Sequence, residues 1–373
     1  MDIEIKIYSK LNAELKEYWQ KLEQNSYNYC FQSYDWYENW VNHFRENNNR
    51  YTLCIIVIRS KSKTVSILPF EVEKKFNLNI LKWSGGDQAD YCAPIIDKSF
   101  NMDKVSFVSL WRKILSSLPK IDLVYFNKQP EKIEDYKNPF VLYLRNHRDS
   151  NTYNILLPKT WDEYTNKNLK KNFFLQNLRK KKQLKKLGNV KFVITKDKEE
   201  KEKFIKELIS QKNERLSSLG FKDVFKDKNL KFYMEFENKN MQKIKTHICS
   251  LIFNDELVAI HWGVIHKDRF YYLLLSMKEG ILDRYSPGRL LISLLIRWSI
   301  MKKIKVFDFT LGDEGYKKSW SNNMDGLFNY IKLNSLRGFL LFFLIKIKLI
   351  LKSLDNKNYL RKTIFFIKNF FKS

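Results

Sequence analysis

Two rhythms of apolar residues divide the chain. In "NAELKEYWQKLEQ" (12–24) and "SYDWYENWVNHF" (33–44) they recur every three or four positions, the spacing of one helix face, with Trp36, Trp40 and Phe44 four apart and Ser33 at the cap. The first 45 residues therefore read as helical. "YTLCIIVIRSKSKTVSILPFEVEKK" (51–75) holds two β-rich runs around the polar turn Arg59 to Lys63, a hairpin signal. The strand "LNILKWSGG" ends on Gly85-Gly86 and leads into the loop "DQADYCAP". A helix, "FVSLWRKILSSL", and a strand, "IDLVYFNKQ", complete an α/β region near residue 150, where "LRNHRDSNTYN" marks a junction.

The second half repeats the plan. A long basic helix, Asn166 to Leu187, stops at Gly188, the strand "VKFVIT" follows, and "EEKEKFIKELISQKNERLSSLG" is a helix with its own glycine stop. "THICSLIFNDELVAIHWGVIHKDRFYYLLLSM" then alternates across turns at Asn254-Asp255 and His266 to Asp268. "IIVIRSKSKTVSILPFEV" and "CSLIFNDELVAIHWGVI" share one layout: an apolar run, a polar turn, then Val-small-Ile. That layout indicates an internal duplication of one α/β domain. The expected division is 1–150, 151–335, and a basic amphipathic helical tail, 336–373.

Composition narrows the class. Within 373 residues, a hydrophobic share of 44% with nine Trp, 20 Tyr and 28 Phe fills two cores and excludes global disorder. Four cysteines (Cys30, Cys54, Cys92, Cys249) show no CxxC spacing, and "MDIEIKIYSK" lacks the layout of a secretory signal, so a reducing, cytoplasmic setting is expected. The five histidines are scattered without an HxxxH or a Cys/His cluster, and no metal site is expected.

The net charge of +27 asks for an anionic partner, and its placement is uneven. The stretch 166–187 has nine Lys/Arg and no acid, and 335–373 has nine Lys/Arg against Asp355 alone, so these two stretches carry 17 of the 27 excess charges. A solvated face is the plain reading of the basic helix, and tRNA binding is the sharper one. In the tail the longest apolar run, Phe339 to Ile345, is too short to span a bilayer. Leu360, Ile364, Ile367 and Phe371 share one helical face with the cations largely off it, which suits either an anionic membrane surface or a pair of helices closing over the domain or forming a dimer.

The chemistry centres on "DRYSPGRLLISLLIRW" (283–298). Ser286 suits an N-cap and Pro287 the first helical position, while Gly288 exposes backbone between Arg284 and Arg289. Free amides, the helix dipole and the two arginines together make a cradle for a diphosphate; a capped core helix with solvated arginines is the competing reading. The next element, "IKVFDFTLGDEGYKKSW", is a strand followed by a turn.

The order of three strands, helix and strand resembles the GNAT acyltransferase core. More closely, "FQSYDWYENW", "GGDQADYCAPIID", "NLKKNFFLQNLRKKK", "YSPGRLLISLLIRW" and "FDFTLGDEGYKKSW" look like the CelD-like acetyltransferases, tandem-GNAT proteins related to the FemAB group and associated with bacterial polysaccharide synthesis. The likeness runs over roughly 30 to 320. It departs from the usual phosphate loop, [QR]xxGx[GA], in placing Pro287 and Arg289 at the two glycine positions.

The resemblance implies an α/β protein with mixed sheets, two tandem GNAT-like domains, and an acetyl-CoA or other acyl-CoA donor held by Arg284, Ser286, Gly288 and Arg289. Backbone amides around Leu274 and Ser276 would face the thioester, and no side-chain nucleophile is needed. His261 is the candidate base, with Asp308, Asp313 and Glu314 as competing bases or anchors and Tyr316 as the donor to the departing thiolate. Asp90 and Tyr91 would contact the acceptor, an amino sugar or glycan precursor. The alternatives are a FemAB-like transferase using aminoacyl-tRNA and a decayed enzyme that binds a glycan or lipid intermediate. The expected location is cytoplasmic, peripheral on the inner face of the cell membrane if the tail binds lipid.

Overall fold

A computed structural model describes residues 3–354 apart from 47, 221–224, 226, 240 and 242. The chain forms two compact units, the first from Met1–Asn28, Asn47–Ser150 and Gly326–Ser373, the second from Tyr29–Glu46 and Asn151–Asp325. Linear cuts at 150 and 335 do not anticipate that 29–46 belongs with the second unit or that the closing strand belongs with the first. The reason in the first case is aromatic packing: on the helix Tyr34–Phe44, Trp36 lies 5.5 Å from Phe232 and 5.0 Å from Phe236, and Asn39 donates to the Phe232 carbonyl at 3.0 Å.

Both units follow one strand plan. In the first, the order is Ile3–Tyr8, Tyr51–Ser60, Lys63–Lys75, Leu78–Trp83, Leu123–Pro130 and Asn323–Leu333. In the second it is Val190–Ile194, Lys245–Phe253, Glu256–His266, Arg269–Met277, Val306–Leu311 and His147–Leu156. Neighbours are antiparallel except the fourth and fifth strands, which are parallel in both units. A parallel pair needs a crossover, which Lys104–Ser117 and Pro287–Met301 supply. The duplicated, mixed α/β organisation expected from the sequence is present.

Local chemistry explains the elements. Asn254 and Asp255 take φ of 47° and 66°, the left-handed pair of a two-residue hairpin, and Lys61 and Ser62 do the same at 47° and 65°. Two expectations need correction. "IEIKIY" is a strand, Ile3–Tyr8, because its apolar residues alternate with period two; it pairs from Ile3↔Ser60 to Tyr8↔Ile55. The basic helix is two helices, Trp161–Asn168 and Lys171–Leu187, since buried Leu169 is extended at φ −97°, ψ 137°.

In the second unit Pro287–Met301 buries Leu291, Leu295 and Ile296 against Phe270, Tyr272 and Phe307. Each such aliphatic contributes roughly 1.5–3 kcal/mol. In the first, the tail helix Phe339–Leu354 packs Leu341 and Ile345 on Leu78, Ile80, Leu123 and Ile331. The amphipathic positions 360, 364, 367 and 371 lie outside the described residues. Among the described residues no helix is long and apolar enough to cross a membrane.

Candidate active site

The parallel contact between Arg269–Met277 and Val306–Leu311 is short. It covers Arg269↔Val306, Phe270↔Phe307 and Tyr271↔Asp308, and there it ends. Beyond it, Tyr272 to Met277 stay paired to Glu256–His266 on their other edge, and Leu311 stays paired to Thr152, so the two strands part like an opening V. A bulge at Leu273 turns the parted segment: Trp262 faces Leu274 while the next residue, Gly263, faces Tyr272. Gly263 is needed there, because a Cβ would stand 2.4 Å from the Tyr271 carbonyl oxygen.

Four side chains converge electrostatically on this opening. Lys212, from the helix Lys198–Ser218, donates to the Leu275 carbonyl at 3.3 Å. Burial, with the Arg215 charge behind it, pulls the Lys212 pKa down to about 8, against the pull of Glu314. The Tyr272 hydroxyl is buried without a hydrogen-bond partner among the described residues, and burial, then Tyr316, Cys249 and Glu314, push its pKa up. Tyr316 is likewise raised, by burial and then by Glu314. Both phenols stay protonated at neutral pH, ready to donate.

The phosphate cradle differs from its expected form. Ser286 occupies the N-cap of Pro287–Met301, but at φ 54°, ψ 61°, and its hydroxyl caps nothing. Pro287 disfavours the right-handed helical region for the residue before it. The freed hydroxyl accepts from Lys180 Nζ at 2.7 Å. The Ser286 carbonyl takes the amides of Arg289 and Leu290, which leaves Gly288 as the first-turn amide with no bond among the described residues. Gly288 also has a packing role: a Cβ would lie 2.3 Å from Met277 Sδ.

Beside this turn is a cavity of about 100 Å³ between Lys171–Leu187 and Pro287–Met301. Lys180, Lys181, Arg289 and Arg297 line it, with Trp161 and Trp320 as apolar walls and no carboxylate. Lys180 and Lys181 have lowered pKa values, from burial first and then from neighbouring cations, Arg289 for one and Lys185 and Arg297 for the other. Asn177, also in the wall, has both amide atoms unpartnered among the described residues.

Other expected residues fall elsewhere. His261 is fully buried and stacks 4.3 Å from the Tyr272 ring. Asp308 is also fully buried; Arg269 Nη1 donates to it at 2.7 Å and the Thr310 amide at 2.8 Å, a structural ion pair in place of a base. Asp313 accepts from Asn151 and Tyr153, and Glu314 pairs with Lys317 at 3.0 Å. Leu274 and Ser276 lie on the parted segment, Arg284 donates to the Ile281 carbonyl, and Arg289 stacks on Phe173 at 5.6 Å. In the first unit Tyr91 is buried and Asp90 half-buried, in a loop held by Lys128 Nζ on the carbonyls of Gly86 and Ala89. Lys212 escaped the sequence reading, since nothing separates it from the other lysines of a charged helix.

Residues 172–318 match the family described as Acetyltransferase (GNAT) domain. The chain carries a GNAT acyltransferase domain. No curated protein matches it. Among solved structures, a crystal structure of FemX is similar at 12% identity and a TM-score of 0.56, covering 90% of this chain and 100% of that one. The structure of L-PGS from Bacillus licheniformis is similar at 11% identity and 0.52, covering 94% and 100%. The C-terminal domain (DUF2156) of a putative lysylphosphatidylglycerol synthetase from Agrobacterium fabrum is similar at 9% and 0.53, covering 89% and 95%. At these identities the likeness shows a shared fold. That shared fold extends over nearly the whole chain, while the GNAT domain match itself spans residues 172–318 of the second unit.

Proposed function

We propose that this GNAT acyltransferase moves an acetyl or related acyl group from coenzyme A to the amine of an amino sugar or glycan precursor, as the CelD-like resemblance implies. The observation that carries the reading is the parted strand pair, which offers an acyl chain an unpaired backbone edge within reach of a carboxylate-free cationic cavity. The cofactor's phosphates would rest on the Gly288 amide, Arg289 and Lys180. Its thioester would lie along Tyr272 to Met277, around Leu274 and Ser276.

The acceptor amine attacks the thioester carbonyl, the C–S bond breaks, and the thiolate leaves with a proton. Tyr316, kept protonated, donates that proton, and the backbone amides around Leu274 and Ser276 would face the developing oxyanion. The Lys212 charge, partly desolvated, disfavours a second cation beside it and so favours the neutral, nucleophilic amine. Glu314, whose charge acts on Lys212, Tyr272 and Tyr316, would take the amine's proton through water. Asp90 and Asp313 remain acceptor contacts on the family reading alone.

One observation favours a second donor. Lys171, Arg179, Lys182, Lys185 and Lys186 have no acidic partner among the described residues, which suits the polyanionic backbone of an aminoacyl-tRNA. Thermal shifts with CoA, acetyl-CoA and tRNA separate the donors, since a ligand that binds only the folded state raises its midpoint. A shift with CoA supports the first reading, tRNA alone the second, and none with any of the three favours a binding protein. Exposed Phe339, Leu340 and Phe343 on the tail helix support a peripheral membrane position. Equal sedimentation with anionic liposomes after removal of 336–373 would rule that out.

A further inference from the structure

Three metal-ligating side chains that are far apart in sequence meet in the core of the second unit. Cys249 and His261 face each other across the Lys245–Phe253 and Glu256–His266 strands, and His247, two residues before Cys249, projects from the same face. His247 Nδ1 or Nε2, Cys249 Sγ and a His261 ring nitrogen all lie within 4.8 Å of one another. His247 is 5% exposed and the other two 0%.

Both nitrogens of both rings lack a hydrogen-bond partner in any other described residue. A neutral imidazole has one donor and one acceptor, and each left unpaired in a core destabilises the fold. Two histidines with this deficit, pointing at one thiol, need a common partner. Their walls meet them through ring faces and edges: Trp298 is 4.1 Å from His247, Phe270 is 5.4 Å from His247 and 5.6 Å from His261, and Tyr272 stacks on His261.

We propose that His247, Cys249 and His261 form a three-coordinate site for a soft monovalent metal ion, cuprous copper. Thiolate and imidazole donors suit a soft ion, and three ligands with aromatic walls suit a trigonal geometry with no fourth position. Charge decides between copper and zinc. One thiolate with Cu⁺ and two neutral imidazoles is a neutral unit, whereas Zn²⁺ would leave a net positive charge in an apolar core. Metal–ligand bonds of about 2.0–2.3 Å put trigonal ligand atoms about 3.5–4 Å apart, so closure needs a shift of about 1 Å. Binding replaces the Cys249 proton, which is released to solvent.

The test uses the full chain, reduced and stripped of metal. Anaerobic titration with Cu⁺ against a chromophoric cuprous chelator is expected to show one ion held per chain, one sulfur and two nitrogen ligands by X-ray absorption, and a raised unfolding midpoint. His261→Phe keeps the aromatic stack and removes the two orphan nitrogens, so the apo variant is expected to unfold at the same or a higher temperature while losing the ion. Cys249→Ala, a second variant, is expected to lose it too. No retained copper, retention in either variant, or a site that takes Zn²⁺ in preference would overturn the proposal.

Discussion

Lys212 Nζ and the Leu275 carbonyl oxygen are 3.3 Å apart, on the stretch of Arg269–Met277 that has already left its parallel neighbour. A helix thus delivers a desolvated cation to the open edge of a sheet. Its pKa of about 8 in the folded protein stands below the ordinary 10.5, so burial penalises the charged form. That penalty is full below pH 8 and fades as pH rises toward the unfolded value, because only the folded state sheds the proton there. Lys212→Met is therefore expected to stabilise the protein at pH 7, by up to roughly 3 kcal/mol, with the gain shrinking by pH 10. Urea unfolding of both proteins at the two pH values reads this directly. A gain that does not shrink would contradict it.

Asp308 separates a structural from a catalytic reading. Because the Asp308–Arg269 pair is buried on the Asp308 side, Asp308→Asn, which removes the charge, is expected to cost about 3–5 kcal/mol. Arg269→Met with Asp308→Leu is expected to recover much of that stability. A variant Asp308→Asn that keeps wild-type stability but loses turnover would restore Asp308 as the base.

Gly288 tests whether its missing side chain serves packing. Gly288→Ala is expected to cost about 1–3 kcal/mol through contact with Met277, and Met277→Ala is expected to relieve part of that loss. Chemical denaturation of the two single variants and the pair gives the coupling. Simple additivity would argue against the contact.

The cationic cavity predicts a binding effect. Lys180→Glu or Arg289→Glu is expected to raise the KM for the acyl donor by about tenfold or more, with kcat less affected. Steady-state kinetics at two salt concentrations check this, because the wild-type advantage should fall as salt rises. A loss confined to kcat would place these residues at the chemistry instead.

What the sequence makes legible is what depends on neighbours along the chain. The turn at Asn254-Asp255, the helix Lys198–Ser218 stopping before Gly220, and the crossover helix after Pro287 all follow local rules, and Gly220 takes φ 84° as a glycine stop requires. What it hides depends on register and burial. The convergence of His247, Cys249 and His261 requires knowing that Cys249 lies opposite His261, and the depressed Lys212 pKa requires knowing which lysine of a charged helix is covered. Trp36 reads as one face of a helix, while the partners on that face, Phe232, Phe236 and Trp262, lie some 200 residues away. The full burial of His261 and Asp308 is hidden for the same reason: residue type suggests chemistry, and only the fold says what covers it.

The most direct test of the whole reading is a crystal soaked with coenzyme A. The pantetheine arm is expected along Tyr272 to Met277, in the gap left by Val306–Leu311, with the paired phosphates against the Gly288 amide, Lys180 and Arg289. Coenzyme A bound away from that gap, or no binding at concentrations that saturate related transferases, would contradict it.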